Sequence, residues 1–180
     1  MPIPKADLSG LLPPFLKSPL RRDGVSPYLA TSTELVARYA TSPHRIRILE
    51  GLLAYRSELR RIGVSGGFQW IDGSFVETRS NEPNDVDIVT VSSLPTSYSP
   101  SDEHLFDAEE AKKRYLCDAY FVDLASGDAT GAVTESVYWY SLFSHQRRTG
   151  RWKGLVQIDL APPDDDAGAR TLLESMKGAP

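Results

Sequence analysis

The chain is short of cysteine. Cys117 stands alone, so no internal disulfide can form and no cysteine cage for zinc can be built. It is best read as a small buried hydrophobe. Basic charge is outweighed as well: 20 Lys and Arg face 24 Asp and Glu, for a net charge of -4. That sum excludes a globally basic nucleic-acid binder, while nucleic acid at a local basic patch stays open. No apolar run approaches the roughly 20 residues of a membrane span. The N-terminal stretch is interrupted by Pro2, Pro4, Pro13 and Pro14, which does not suit a signal peptide. There is no Ser-His-Asp grouping, no Walker loop and no His-x-x-x-His pair. These absences predict a cytoplasmic protein with no membrane partner. What is present is an ordinary globular composition, 41% hydrophobic and 24% charged over 180 residues, enough for one core.

The pattern divides the chain into an extended N-terminal arm (1–30), a main domain (31–162) and a C-terminal tail (163–180). In the arm, Leu11, Leu12, Phe15 and Tyr28 are expected to pack on the body. Thr31 with Glu34 has capping-box spacing and predicts a short helix to about Tyr39. Ser42-Pro43 is a good helix start. From there Ile46, Ile48, Leu49, Leu52, Leu53 and Leu59 make an apolar stripe, with Arg45, Arg47, Arg56, Arg60 and Arg61 mostly off it, and Gly63 as the stop. The period then changes. Phe68 to Asp72 predicts one strand, and Asp85 to Val91 a second. Within the latter, Val86 and Ile88 face one way, and Asp85, Asp87, Val89 and Val91 the other. A strand apolar on both faces belongs in the middle of a covered sheet. Residues 92–104 read as a loop, 107–115 as a short helix and 117–124 as a third strand. A helix from Glu135 to about His145 and a last strand from Trp152 to Leu160 follow. The acidic tail carries a surface helix over Ala169 to Met176.

Residues 71–91, "IDGSFVETRSNEPNDVDIVTV", carry the chemistry. A strand ends at Asp72, and Gly73-Ser74 follows. Glycine lets the backbone approach a ligand closely. Serine adds a hydroxyl, and exposed amides there can form an anion-binding concavity. After ten intervening residues come Asp85 and Asp87. Two aspartates at i and i+2 of a strand share a face roughly 6.5–7 Å apart, and their carboxylates can converge on a cation. The competing reading makes them solvated turn residues after "NEPN". Against it, Asp87 sits in the apolar run "VDIV", where an uncompensated charge is costly.

An apolar strand, Gly-Ser, a gap of this length and an Asp-x-Asp flanked by apolar residues resemble the signature of the polymerase-beta-like nucleotidyltransferase superfamily. The likeness is greatest to its minimal bacterial members. The stretches "GFQWIDGSFVE", "PNDVDIV" and "CDAYFVDL" also resemble a group of uncharacterised bacterial proteins of similar length, over about residues 1–160; that second likeness brings no activity with it. The resemblance implies an α/β (α+β) fold, a mixed sheet flanked by helices. It implies that Gly73 and Ser74 cradle a nucleoside triphosphate, and that Asp85 and Asp87 hold Mg2+ or Mn2+ as catalytic residues. A third acid comes from the next strand. Asp118, at the strand start, is the first choice and Asp123 its substitute. They lie five residues apart, on opposite faces of the strand.

One departure stands out. Many minimal members have a basic residue directly after Gly-Ser. Here Phe75 takes that place, and the first arginine of the loop is Arg79, a candidate for the triphosphate. A second basic source is "SHQRRTGRWKG". It holds His145, Arg147, Arg148, Arg151 and Lys153 with Trp152 among them, and Lys153 is the first choice for a triphosphate contact. The alternative is a helix C-terminus whose cations meet the dipole. Tyr138-Trp139-Tyr140 serves either a base pocket or the core.

The expected function is metal-dependent transfer of a nucleoside monophosphate from an NTP, ATP among them, to a hydroxyl on a protein, RNA or nucleotide. By resemblance the setting is a bacterial toxin-antitoxin or antiphage (antiviral) defence system, with a protein partner encoded nearby. The alternative is a catalytically weak regulatory or interaction subunit of the same fold, favoured by Phe75.

Overall fold

The computed structural model describes residues 3–78, 81–125, 127–161 and 163–177. Five strands form one open sheet: β1 (Tyr28–Ala30), β2 (Phe68–Asp72), β3 (Val86–Ser92), β4 (Cys117–Asp123) and β5 (Val156–Asp159), in the order β1-β5-β2-β3-β4. β2 runs antiparallel to both β3 and β5, while β1–β5 and β3–β4 are parallel pairs. The protein is thus a mixed α/β fold with helices on both faces of the sheet.

β3 explains the layering. All seven of its residues are buried. Val86 and Ile88 join the larger core with residues of α1 (Ser32–Tyr39), α2 (Pro43–Arg61), α3 (Ala108–Tyr115) and α5 (Pro163–Lys177). Val89 and Val91 face the other way, into a smaller cluster with Trp70, Val122 and Phe143 under α4 (Ala129–Phe143). The alternation read from the sequence is the alternation of the two cores.

Local signals hold at the helix starts. The Thr31 side chain accepts the Glu34 N–H at 3.0 Å, and the Glu34 carboxylate accepts the Thr31 N–H at 2.9 Å. Ser42 caps α2, with Pro43 in its first turn. Thr31→Ala is expected to cost about 1 kcal/mol, read as a lower urea midpoint with an unchanged slope.

Four elements differ from expectation, each through a long-range contact or a cap. The N-terminal arm buries Leu11, Leu12 and Tyr28, and its end becomes β1 by pairing with β5. α4 begins at Ala129, ahead of the expected Glu135, because the Asp128 carboxylate accepts the Gly131 N–H at 3.0 Å. β5 is shorter than expected, because Trp152 forms a bridge with His145 and lies outside the strand. The expected acidic tail is α5, a helix that buries Ala169 and Leu173 in the main core.

α5 also explains a misplaced arginine. Arg56 was expected off the apolar stripe but is fully buried. Its Nε donates to both carboxylate oxygens of Asp166, at 3.0 and 2.9 Å, and the guanidinium also reaches Gln69 and the Asp159 carbonyl. A buried charge needs such complete pairing, and its partner lies 110 positions away in sequence. No helix among the described residues is long and apolar enough to cross a membrane.

Candidate active site

Three aspartates stand in register across the sheet. Asp72 of β2 faces Asp87 of β3, and Asp87 stands beside Asp118 of β4. Neighbouring strands are about 4.8 Å apart, and paired residues point to one face. Backbone pairing alone therefore sets three carboxyl groups in a row. Asp85 joins them two residues ahead of Asp87, just before β3 begins. The row lies where β2 ends and β3 and β4 start, on the face that α4 covers. A cavity of about 260 Å3 opens there, lined by all four aspartates with Glu77, Phe143 and the cations Lys112, Arg147, Arg148 and Lys153.

Gly73 has φ +79°, the left-handed region that glycine enters without strain. A Cβ at this position would run into the Asp87 carboxylate. The glycine thus lets the turn press directly on the acid row. Ser74 follows in a short 3-10 helix, Gly73–Val76. It lines this cavity and a larger neighbour of about 590 Å3, which it shares with Asn84, Gln146 and Arg148.

Phe75 proves to be an anchor in the core. Its ring is fully buried and packs against Tyr39 at 5.3 Å between centroids. The Arg45 guanidinium lies over it at 5.3 Å and donates to the Phe75 and Glu77 carbonyls at 2.8 and 3.1 Å. α2 therefore braces the Gly-Ser turn from behind. Arg79 lies outside the described residues.

The acids meet cations. The ammonium of Lys153 lies 3.0 Å from Asp72 Oδ1, 3.2 Å from Glu77 Oε1 and 3.3 Å from the Gly73 carbonyl oxygen. Although close, it is off the hydrogen-bond line to Asp72 Oδ1, which has no aligned donor among the described residues. Arg147 reaches Asp87 Oδ1 at 3.0 Å. Lys112 of α3 lies 2.5 Å from Asp85 Oδ2 and 3.6 Å from Asp118 Oδ2.

Burial pushes the Asp72 carboxyl up to about 7, and Lys153 offsets only part of that rise. Asp87 is raised too, first by burial; Arg147 opposes the shift, while Asp85 and Asp118 add repulsion. A carboxyl group whose pKa rises on folding binds more protons in the folded chain than in the unfolded one, so the fold weakens as pH climbs between the two values. For Asp72 that window runs from the unfolded value, about 4, to about 7. Urea titrations without divalent cations should therefore show Asp72 removing on the order of 2 kcal/mol of stability between about pH 5 and about pH 8. Asp72→Asn should flatten that part of the slope.

The sequence-derived residues Gly73, Ser74, Asp85, Asp87, Asp118 and Lys153 meet at one cavity. Lys153 is nearly enclosed, whereas Arg147 and Arg148, which also line the cavity, are exposed. Asp123 lies at the far end of β4, in register with Ser92. Its Oδ1 accepts the N–H groups of Leu94 and Ala125, both at 2.9 Å, the bonding of a turn acid. Trp152 stacks edge-on against Phe15. Trp139 packs on Tyr120 and Tyr140 on Trp70, so these rings fasten α4 to the sheet.

Sequence reasoning missed Asp72, Glu77 and Lys112. Asp72 was findable, since Phe68, Trp70 and Asp72 alternate onto one face of β2. Lys112 had no local signal, because only packing of α3 brings it to the acids.

Fold and cleft together define a mixed α/β protein with a row of carboxylates at one edge of its sheet. Residues 4–159 match the family described as "Family of unknown function (DUF6932)", and the chain belongs to that family. No curated protein and no solved structure matches it.

Proposed function

We propose that the chain is a metal-dependent nucleotidyltransferase, moving a nucleoside monophosphate from an NTP to a hydroxyl acceptor. The observation that carries this reading is the in-register row Asp72, Asp87 and Asp118, pressed by the Gly73-Ser74 turn and edged with arginines.

The donors suit a hard divalent cation. They are all oxygens, and Asp72 Oδ1 lacks an aligned donor. Among the described residues no three acidic, histidine or cysteine side chains are grouped closely enough to hold a metal ion, because Asp85 and Asp87 turn to Lys112 and Arg147. Those cations are 48% and 65% exposed along their side chains, and such pairs exchange at little cost. Asp85, Asp87 and Asp118 would hold Mg2+ or Mn2+, which when bound supplies charge neutralisation at the phosphates.

The chain's own groups do the rest. Arg147 and Arg148 present guanidinium donors to phosphate oxygens at the cavity rim. Ser74 adds a hydroxyl, and the turn adds backbone amides. Lys153 balances Asp72 and Glu77 and fixes the Gly73 carbonyl, which holds the turn in place. Asp118 takes the proton of the acceptor hydroxyl. The acceptor oxygen then bonds to the α-phosphorus, and the bond from that phosphorus to the bridging oxygen breaks, releasing pyrophosphate. The acceptor that the resemblance favours is a partner protein encoded nearby, as in a toxin-antitoxin or antiphage system. The second reading, a regulatory subunit of the same fold, draws on the pairing of the acids with Lys112 and Arg147.

The test is incubation of the purified protein with each labelled NTP and Mg2+ or Mn2+, alone and with its neighbouring gene product. Pyrophosphate release and a labelled product are expected, both lost in the Asp85→Asn/Asp87→Asn variant. No turnover under any condition, or turnover that survives the double substitution, overturns the reading.

A further inference from the structure

α4 is an unusual surface helix. Of its fifteen residues Glu135 alone is charged, and Phe143 alone is buried. Its outer stripe is Thr130, Val133, Thr134, Val137, Tyr138 and Ser141, all neutral and all exposed. Val133 and Val137 are 62% and 63% exposed. Beside them runs a groove of about 420 Å3 between Trp70, Leu124, Val133, Val137 and Tyr140. Scattered single apolar residues on a surface are normal, but a contiguous patch next to a groove marks a contact site.

We propose that this face pairs with the same face of a second copy of the chain, α4 against α4 in antiparallel fashion. Three observations select that occupant. The chain carries a net charge of -4, so two copies repel except across a neutral surface, and the α4 stripe is neutral. A two-fold contact needs a self-complementary patch, and this one sets protruding Val133, Val137 and Tyr138 next to a groove that can receive them. The ends of the helix also differ in charge. Asp128 caps its start, and exposed Arg148 follows its end. Antiparallel pairing brings the start of each helix, with Asp128, to the end of the other, beyond which the turn carries the exposed Arg147, Arg148 and Arg151, so the two rims carry opposite charge. Beyond the groove the contact is a helix about 22 Å long and 10–12 Å wide. That is less than the roughly 800 Å2 per partner of a standard interface, so the pairing is a weak one that depends on concentration. The pairing does not depend on the reading of the cleft.

Sedimentation equilibrium of the full chain across about 1–200 μM tests it. The wild type is expected to move from the 19.9 kDa monomer to twice that mass. Val133→Glu/Val137→Glu should remain monomeric throughout, with an unchanged circular dichroism spectrum, since both side chains point to solvent and glutamate suits a helix. Leu20→Glu, which alters a still more exposed apolar residue of the arm, should still dimerise. A wild type that stays monomeric at the highest concentration overturns the proposal. So does a dimer that survives the double substitution, a dimer lost in Leu20→Glu, or a monomer that instead sediments with phospholipid vesicles through α4.

Discussion

Asp87→Asn is expected to lower metal-dependent NTP turnover by a factor on the order of 10³ and, in the absence of divalent cations, to make the folded chain harder to unfold. The two effects have opposite signs for one reason. Asp87 is central in the acid row, beside Asp72 and Asp118, and burial and repulsion from its neighbours raise its pKa. Its ionised form is thus disfavoured by folding, and a neutral isostere relieves that cost. Among the described residues the ion-pair partner lost is Arg147, whose side chain is largely exposed, and such pairs contribute at most about 1 kcal/mol. On the proposed reading, a group that weakens the fold yet remains ionisable has its use when a cation arrives. Thermal melts should show it: Mg2+ or Mn2+ raises the midpoint of the wild type by binding the folded state and leaves that of Asp87→Asn where it was. A variant less stable than wild type without metal, or stabilised equally by metal, would falsify this account.

Lys153→Ala is expected to cost about 3–5 kcal/mol, a large share of the 5–15 kcal/mol that holds a typical domain together. Lys153, Asp72 and Glu77 are all nearly excluded from solvent. Truncation leaves both carboxyl groups enclosed without their shared cation and removes a donor from the Gly73 carbonyl. The loss should shrink as pH falls, because a protonated Asp72, whose carboxyl burial pushes up to about 7, no longer needs a counter-charge. Urea midpoints at about pH 5 and about pH 8 would reveal it. Equal losses at both values would show that Lys153 stabilises by packing its stem rather than by balancing charge. The combination Lys153→Ala/Asp72→Asn should recover part of the stability, as expected for groups coupled in one network.

Legibility in the sequence followed the range of the forces involved. β2 and β3 were readable because alternation is local, and both faces of β3 are apolar. The starts of α1 and α2 were readable because Thr31 and Ser42 cap within three residues. Gly73, Asp85 and Asp87 drew attention because a turn glycine and a charge within an apolar strand each carry a cost at the position itself. By contrast, β1 exists through pairing with β5, and α5 is buried through partners on α1 and α2. Arg56 looked like a surface residue because Asp166 lies more than a hundred positions away. Asp72 was overlooked as the last residue of a strand; only register with Asp87 makes it part of the row. Lys112 reaches the acids through docking of α3, which periodicity does not encode; Lys153 stood out in its basic cluster, but its enclosure between Asp72 and Glu77 did not.

The pairing of β1 with β5, Tyr28 beside Val156, has a consequence for how the chain is made. During synthesis the acid row is complete in sequence once Asp118 has emerged, but its enclosed counterion comes later, at Lys153, immediately ahead of the strand that closes the sheet. A nascent chain that has β2, β3 and β4 but not yet β5 must keep Asp72 hydrated or protonated. Contacts this distant in sequence form slowly. The stretch 153–159, made after the whole acid row, therefore carries both the strand that locks the arm in place and the charge that makes the cleft tolerable. A protein truncated before residue 153 should be met by the cell as an unfinished sheet with an open acidic seam, and handled by chaperones and proteases accordingly.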